Sequence, residues 1–147
     1  MDPTVFDLDR FLDAQRSTYA AALAELRAGA KRSHWMWFVF PQIAGLGRSA
    51  MARHYAIGSL AEARAYHAHP VLGRRLTECL DALAGLPDPD AERVFGVTDA
   101  MKLRSSLTLF ALAVPADRQF PLALDRWFDG ARDPMTVQLV RDAIPDG

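Results

Sequence analysis

The chain has 147 residues, of which 50% are hydrophobic and 24% are charged, a composition typical of a folded domain that excludes a disordered chain. Its formal net charge of −1 gives no general attraction to nucleic acid or to an anionic membrane, so we expect neither as a partner. The single cysteine, Cys79, excludes an internal disulfide framework and a multi-cysteine metal cluster.

No segment of the sequence predicts export or membrane insertion. The longest apolar stretch, Trp35 to Phe40, is far too short to span a bilayer. The first residues lack the basic stretch of a secretory signal, so we expect a cytoplasmic protein. Loops are short and no repeat is present, which predicts one domain over residues 1–147 with an ordered core at about 6–143.

Helical periodicity dominates the first third of the chain. Apolar residues recur at three- and four-residue steps, which predicts one helix from a cap at Asp7 to a stop at Gly29. The run from Trp35 to Phe40 has strand-like composition but no polar alternation and no partner strand, so a helical or extended core segment is favoured. A short helix is expected over about 50–55.

Capping signals place the middle helices. Ser59 and Glu62 have capping-box spacing, which predicts a helix that starts at Leu60 and ends before Pro70. Pro70 is expected to open the next helix at its first position, with Gly85 as the stop.

Four further helices are predicted in the last third of the chain. They are a short helix from about Asp90 to Phe95, a longer one from a cap at Thr98 or Asp99 to about Val114, one over about 117–128, and one from a cap at Asp133 to about Ala143. The prediction is an all-α, compact and irregular bundle of about six or seven helices.

The most unusual stretch runs from Lys31 to Ser49 and holds two of the three tryptophans. Trp35 and Trp37 are expected to be mainly core, because large aromatic side chains commonly form one. In the functional alternative, one indole lines a pocket with His34 and Gln42 at its rim. His34 is then a candidate general base, since imidazole titrates near neutral pH.

A glycine-rich loop, Gly45-Leu46-Gly47-Arg48, precedes the short helix predicted over about 50–55. Backbone N–H groups at such a helix start can bind an anion, and Arg48 and Arg53 could add positive charge. The loop lacks the third glycine and the preceding strand of a dinucleotide fingerprint, and the lysine of a phosphate-binding loop. An ordinary tight turn is therefore the competing interpretation.

The helix predicted over about 98–114 is apolar almost all round, which is typical of a buried helix. Lys102 and Ser106 lie one turn apart on it. A buried lysine must be paired or have a shifted pKa, which makes Lys102 a candidate catalytic group. The competing interpretation is a side chain that reaches solvent from the first turn. We predict that Lys102 points into a cleft bordered by His34 and the Gly45–Gly47 loop.

Other chemistry-bearing residues show no catalytic or metal-binding pattern. His54, His67 and His69 lack metal-ligand spacing, so we expect no metal and no cofactor. Cys79 falls on the apolar stripe of its helix, which predicts an inert core thiol. The sequence has no G-x-S-x-G motif, so a hydrolase of that type is unsupported.

Five segments of the chain resemble the domain-of-unknown-function family 1810. They are His34 to Gln42, Gly45 to Gly47, His69 to Gly73, Phe95-Gly96, and Lys102 to Phe110. The resemblance runs from Phe6 to about Leu139. It implies a small, mostly α-helical single domain found in bacteria and brings no established biochemistry. Members are sometimes labelled calpastatin-like, but calpastatin inhibitory segments are disordered, whereas this composition predicts a folded core.

The order of elements is also weakly similar to the NADAR group, which processes ADP-ribose adducts and related ribosides. The shared order is an aromatic block, a helix that ends near the turn from His69 to Arg74, and a late helix that bears Lys102. This resemblance implies N-glycosidic bond cleavage as a reaction class.

Two hypotheses of different kinds follow. In the first, the protein binds or processes a small anionic, nucleotide-like ligand. Trp35 or Trp37 stacks on it, Ser106, Arg48 and the glycine loop hold it, and Lys102 and His34 carry the chemistry. In the second, the protein is a non-catalytic interaction module whose aromatic residues are all structural. The hypotheses differ on whether His34, Gln42, Arg48 and Lys102 converge on one cleft.

Overall fold

Ten α-helices form between residues 6 and 143, the part of the chain that the computed structural model describes. They are α1 (Asp9–Arg16), α2 (Tyr19–Ala28), α3 (Met36–Val39), α4 (Ala50–His54), α5 (Leu60–Ala68), α6 (Leu72–Ala84), α7 (Ala91–Phe95), α8 (Val97–Ala113), α9 (Gln119–Phe128) and α10 (Pro134–Ala143). Across residues 6–143 no strand forms beyond an isolated parallel bridge between Ile43 and Ile57. The all-α class is confirmed, while the predicted number of six or seven helices was too low.

The predicted first helix, Asp7 to Gly29, is in fact two helices. The helical ladder breaks at Thr18, whose N–H donates to the Gln15 carbonyl at 3.2 Å and whose hydroxyl donates to the Ala14 carbonyl at 2.6 Å. The break lets α1 pack on α3 while α2 packs on α6. Asp7 does not cap α1, whose N-cap position is Leu8 with no side-chain bond. The stop at Gly29 is confirmed, in the left-handed conformation.

Two predicted N-caps, Ser59 and Asp133, are confirmed, and Asp90, which was expected as the first residue of its helix, is also an N-cap. Side-chain oxygens of Ser59, Asp90 and Asp133 each accept a hydrogen bond from the backbone N–H three residues later. Such caps satisfy N–H groups that the helix itself leaves without a partner. The signal is local, because cap and partner lie within one turn of each other.

The corner between α5 and α6 differs from its prediction. α6 begins at Leu72 rather than at Pro70, and the ring nitrogen Nδ1 of His69 accepts the N–H groups of Val71 and Leu72. The chain turns so tightly that a Cβ on Gly73 would overlap the carbonyl oxygen of His67. The His69 to Gly73 motif therefore has a structural explanation.

The longest helix, α8, packs against α3, α5, α7, α9 and α10. Leu103, Leu107 and Phe110 are fully buried, as the apolar pattern predicts. The start of α8 was predicted wrongly. Val97 is its first residue and Gly96 occupies the N-cap position, so neither Thr98 nor Asp99 caps the helix.

The aromatic run folds as a single helical turn, α3, flanked by Trp35 and Phe40. Trp35, Phe38 and Phe40 are buried in the core, whereas Trp37 is only half-buried. The side-chain amide Nε2 of Gln15 donates a hydrogen bond to the Phe38 carbonyl at 2.7 Å and fixes the turn against α1. Within residues 6–143, no helix has the length and apolar character that a bilayer crossing requires.

Candidate functional site

A cleft of about 420 Å³ opens between the segment that follows α3, the first half of α8 and the start of α10. Most of its wall is apolar, with a few polar side chains among the apolar ones, which is the usual character of a small-molecule site. The apolar lining includes Trp37, Ile43, Leu46, Tyr55, Met101 and Met135, and the polar lining includes Gln42, Arg53, Thr98, Lys102, Ser105 and Asp133.

The loop on one side of the cleft is held in place by backbone pairing. Ile57 N–H donates to the Gln42 carbonyl, and Ala44 N–H donates to the Ile57 carbonyl, both at 2.8 Å. Gly45 has φ +104°, and a Cβ there would lie 3.0 Å from the Leu139 side chain. Glycine at this position therefore lets the loop lie against α10.

On the opposite wall of the cleft, hydrogen bonds made by the segment Lys102 to Phe110 join α8 to the start of α10. The Ser105 hydroxyl lies 2.9 Å from Oδ2 of Asp133, and the Thr108 hydroxyl accepts the Asp133 N–H at 3.0 Å. Arg104 donates to the two carbonyls of the 131–132 turn. These contacts set the start of α10 against α8, so the Asp133 carboxylate is positioned at the cleft by a complete network.

A second space, a groove of about 330 Å³, adjoins the cleft. Trp37, Thr98 and Lys102 line both spaces. Segments 31–37 and 95–99 form the remaining walls of the groove. Trp37 and Lys102 therefore stand at the boundary between the cleft and the groove.

Two lysines share one carboxylate in this groove. Nζ of Lys31 lies 2.7 Å from Oδ2 of Asp99, and Nζ of Lys102 lies 3.4 Å from Oδ1 of the same residue. The Lys31 side chain is 5% exposed and that of Lys102 is 25% exposed. Each ammonium also lies over an indole ring, Lys31 at 5.1 Å from Trp35 and Lys102 at 4.8 Å from Trp37. Such cation–π contacts favour an ammonium at the ring face.

The lysine-bearing segment is anchored by Glu25. Its carboxylate accepts hydrogen bonds from the N–H groups of Arg32 and Ser33 and from the indole Nε1 of Trp35, at 2.7–3.0 Å. Burial works against ionisation, but these bonds and one from the Ser33 hydroxyl outweigh it and lower the pKa of Glu25 to about 2. The ionised Glu25 carboxylate therefore fixes residues 32–35, which follow Lys31 in the chain.

Seven of the nine residues predicted for the site line these two spaces. Gln42, Gly45 and Gly47 line the cleft, His34 and Trp35 line the groove, and Trp37 and Lys102 line both. Lys102 thus lies between His34 and the glycine loop. His34 is exposed and Gln42 is half-buried. The roles in binding and catalysis assigned to these residues stay predictions.

Two predicted residues lie elsewhere. Arg48 is exposed and does not line either space, although Arg53 lines the cleft. Ser106 is buried, and its hydroxyl has no hydrogen-bond partner among residues 6–143. Its neighbour Ser105 lines the cleft instead, because the side chains of successive residues in a helix point in directions about 100° apart. The helix N-terminus after the glycine loop is occupied by Ser49, which caps α4.

The sequence did not single out Lys31 and Asp99, which line the groove, or Ser105 and Asp133, which line the cleft. A usable signal existed for Lys31, because the chain contains only two lysines among its 17 basic residues and Lys102 is the other. Lys102 pairs with Asp99 within one turn of α8, whereas the contact of Lys31 with Asp99 joins distant segments. No local sequence pattern predicts that second contact.

The remaining chemistry-bearing residues have structural partners. His67 pairs with Asp117 at 2.8 Å; burial opposes ionisation there, but bonds from His67 and Gln119 lower the pKa of the Asp117 carboxyl. Cys79 is buried, and burial raises the pKa of its thiol to about 12. Over residues 6–143, no group of three His, Cys, Asp or Glu side chains is arranged as a metal site.

Comparison with known proteins identifies the family but no activity. The model of the family described as "Protein of unknown function (DUF1810)" matches residues 5–140, so the chain belongs to that family, as its five motifs predict. The chain is similar to the crystal structure of the conserved hypothetical protein Rv1873 from Mycobacterium tuberculosis, with 48% identity and a TM-score of 0.91. That match covers 95% of this chain and 99% of the other. No curated protein matches the chain.

Proposed function

We propose that this family member binds a small anionic, nucleotide-like ligand at the boundary of the cleft and the groove. The observation that carries the proposal is the Lys102 ammonium, which lies 4.8 Å from the centre of the Trp37 ring where both residues line both spaces. A flat ring of the ligand would pack against Trp37, and an anionic group would pair with Lys102.

The cleft has the size and polarity of a ligand site. Its volume of about 420 Å³ falls within the general range of roughly 300–1,000 Å³ for small-molecule pockets. Trp37 and Tyr55 offer aromatic surface for a heterocycle, and Gln42 offers an amide that can donate and accept. Lys102 and Arg53 are both cations that line the cleft, and of the two Lys102 is the one that lies against Trp37.

The nearby carboxylates have neighbouring partners. Asp99 contacts two lysines, and Oδ2 of Asp133 accepts hydrogen bonds from Thr136 and lies against Ser105. N-glycosidic cleavage, with His34 and Lys102 as its catalytic groups, is a separate hypothesis. Release of free base from ADP-ribose or nucleosides would be its direct assay.

Thermal-shift and calorimetric titrations test the proposal with ADP-ribose, AMP, ribose 5-phosphate and uncharged adenosine. We expect at least one anionic compound to raise the unfolding temperature, because a ligand that binds only the native state stabilises it. Lys102→Met, which keeps the stem and removes the charge, should abolish the shift. Arg74→Met removes an exposed cation on α6, outside both spaces, and should keep it.

Two outcomes would reject the binding proposal. In one, none of the four compounds stabilises the wild-type protein. In the other, Lys102→Met responds to them as the wild type does. The interaction-module hypothesis would then move ahead, and one observation favours it. Val97, Met101 and Met135 are 60%, 65% and 56% exposed around these spaces, and exposed methionines adapt readily to a protein surface.

A further inference from the structure

The two lysines of the chain meet in the groove, although they are far apart in sequence. Their ammonium groups contact opposite oxygens of Asp99. Two ammonium groups and one carboxylate leave an excess of one positive charge in a partly enclosed space. A single lysine would already neutralise Asp99, so the second ammonium adds a charge that Asp99 does not balance.

The two ammonium groups are held differently. Lys31 is almost fully buried, close to Asp99, and it also donates to the Ser33 carbonyl. Lys102 is a quarter exposed and its contact with Asp99 is longer, at 3.4 Å. Lys31 therefore provides a fixed positive charge, and Lys102 provides one that can turn toward an incoming anion without leaving Asp99 uncompensated.

The start of α8 adds to the positive potential of the groove. Gly96 has no side chain, and no side-chain hydrogen bond caps this helix. Gly96, Val97 and Thr98 line the groove, so the first-turn N–H groups and the positive end of the helix dipole lie at its wall. This contribution supports the lysine pair and would not by itself define a site.

We propose that the groove is a subsite for a tetrahedral oxyanion, the phosphate group of the ligand, bound jointly by Lys31 and Lys102. The inference rests on the proposed function, since Lys102 lines both the cleft and the groove. A phosphate group offers three strongly accepting oxygens, which suits donors that surround it from two side chains and a helix start. With the ring on Trp37 in the cleft and the phosphate in the groove, the ligand class is an organic phosphate ester.

The presence of only two lysines makes a direct test feasible in the unmodified protein. Lysine labelled with ¹³C at Cε should give two NMR signals, which Lys31→Met and Lys102→Met assign. On titration with inorganic phosphate we expect both signals to shift and to saturate together. Sodium chloride at matched ionic strength should shift neither to saturation. A response of Lys102 alone, or non-saturating shifts of both signals, would overturn the proposal.

Calorimetry with AMP and adenosine separates this inference from the proposed function. We expect AMP to bind wild-type protein at least about tenfold more tightly than adenosine, the scale of a charge-assisted hydrogen bond, and Lys31→Met to lose that preference. If neither compound nor any other tested ligand binds, the proposed function fails. If both bind equally well to the wild type, the anionic site at Lys102 fails together with the phosphate subsite. If AMP is preferred and Lys31→Met keeps that preference, only the phosphate subsite fails. Should Lys31→Met not fold, the labelled wild-type protein still decides the question, with Lys102→Met as the assigning variant.

Discussion

The two halves of α8 have opposite environments. Between Val97 and Lys102 only Ala100 is buried, whereas between Leu103 and Ala113 every side chain is buried except two that are partly so. The second half packs into the core, and the first half forms walls of the cleft and the groove. Because one continuous helix joins them, the core sets the position of Asp99 and Lys102. A site built in this way keeps its geometry without a ligand.

The largest expected effect comes from the buried half. Phe110→Ala and Leu107→Ala should each lower the free energy of unfolding by about 2–5 kcal/mol, because truncation leaves a cavity in a fully buried position. Urea denaturation followed by circular dichroism would measure the change. Unaltered midpoints in both variants would show that this half of α8 is not central to the core.

The two lysines at the exposed half should differ in their contribution to stability. Lys31→Met should cost about 1–3 kcal/mol, since it removes a buried ammonium from Asp99, whereas Lys102→Met should cost at most about 1 kcal/mol. Thermal unfolding of the two variants without ligand provides the comparison. Equal losses would mean that the two ammonium groups are not held in the different ways that their burial indicates.

The anchor of the groove segment should give stability a defined dependence on acid. The folded-state pKa of Glu25 is about 2, below the ordinary value of about 4.3. The ionised carboxylate therefore contributes its full stabilisation to the fold above about pH 4.3, and this contribution is lost as the pH falls toward 2. Glu25→Gln should cost about 1–2 kcal/mol at neutral pH and progressively less in acid. Unfolding curves recorded from pH 7 to pH 2 would show convergence, and a constant gap would contradict it.

The smallest effect is expected at the exposed face of the same helix. Met101 is 65% exposed, so Met101→Ala should change the free energy of unfolding by no more than about 0.5 kcal/mol. It is a matched control for Phe110→Ala, because both variants truncate a large side chain within α8. A loss comparable to that of Phe110→Ala would show that the two halves of the helix are less distinct than their burial indicates.

Local signals in the sequence predicted the elements better than they predicted the site. Ser59 and Asp133 predicted the starts of their helices because a cap and its partner lie within one turn. The break at Thr18 is not predicted, since the apolar period continues through it.

Among the residues that line the two spaces, Trp37 was predicted from its aromatic cluster and Lys102 from its charge on an otherwise apolar helix. Arg48 and Ser106 show the limit, because loop direction and helix rotation decide whether a neighbouring residue or the predicted one reaches the cleft. Lys31 and Asp99 come together only through tertiary packing. Their pairing depends on how the segment anchored by Glu25 meets α8, which no short-range pattern encodes.

The unequal burial of the tryptophans gives the protein its own optical reporter. Trp35 and Trp127 are 1% and 6% exposed, whereas Trp37 is half-buried beneath the Lys102 ammonium. A dissolved quencher should therefore reach mainly the Trp37 indole, and the accessible part of the emission should come from that ring. A ligand seated on Trp37 would shield it from the quencher, so occupancy could be followed in unlabelled protein under excitation of the indole.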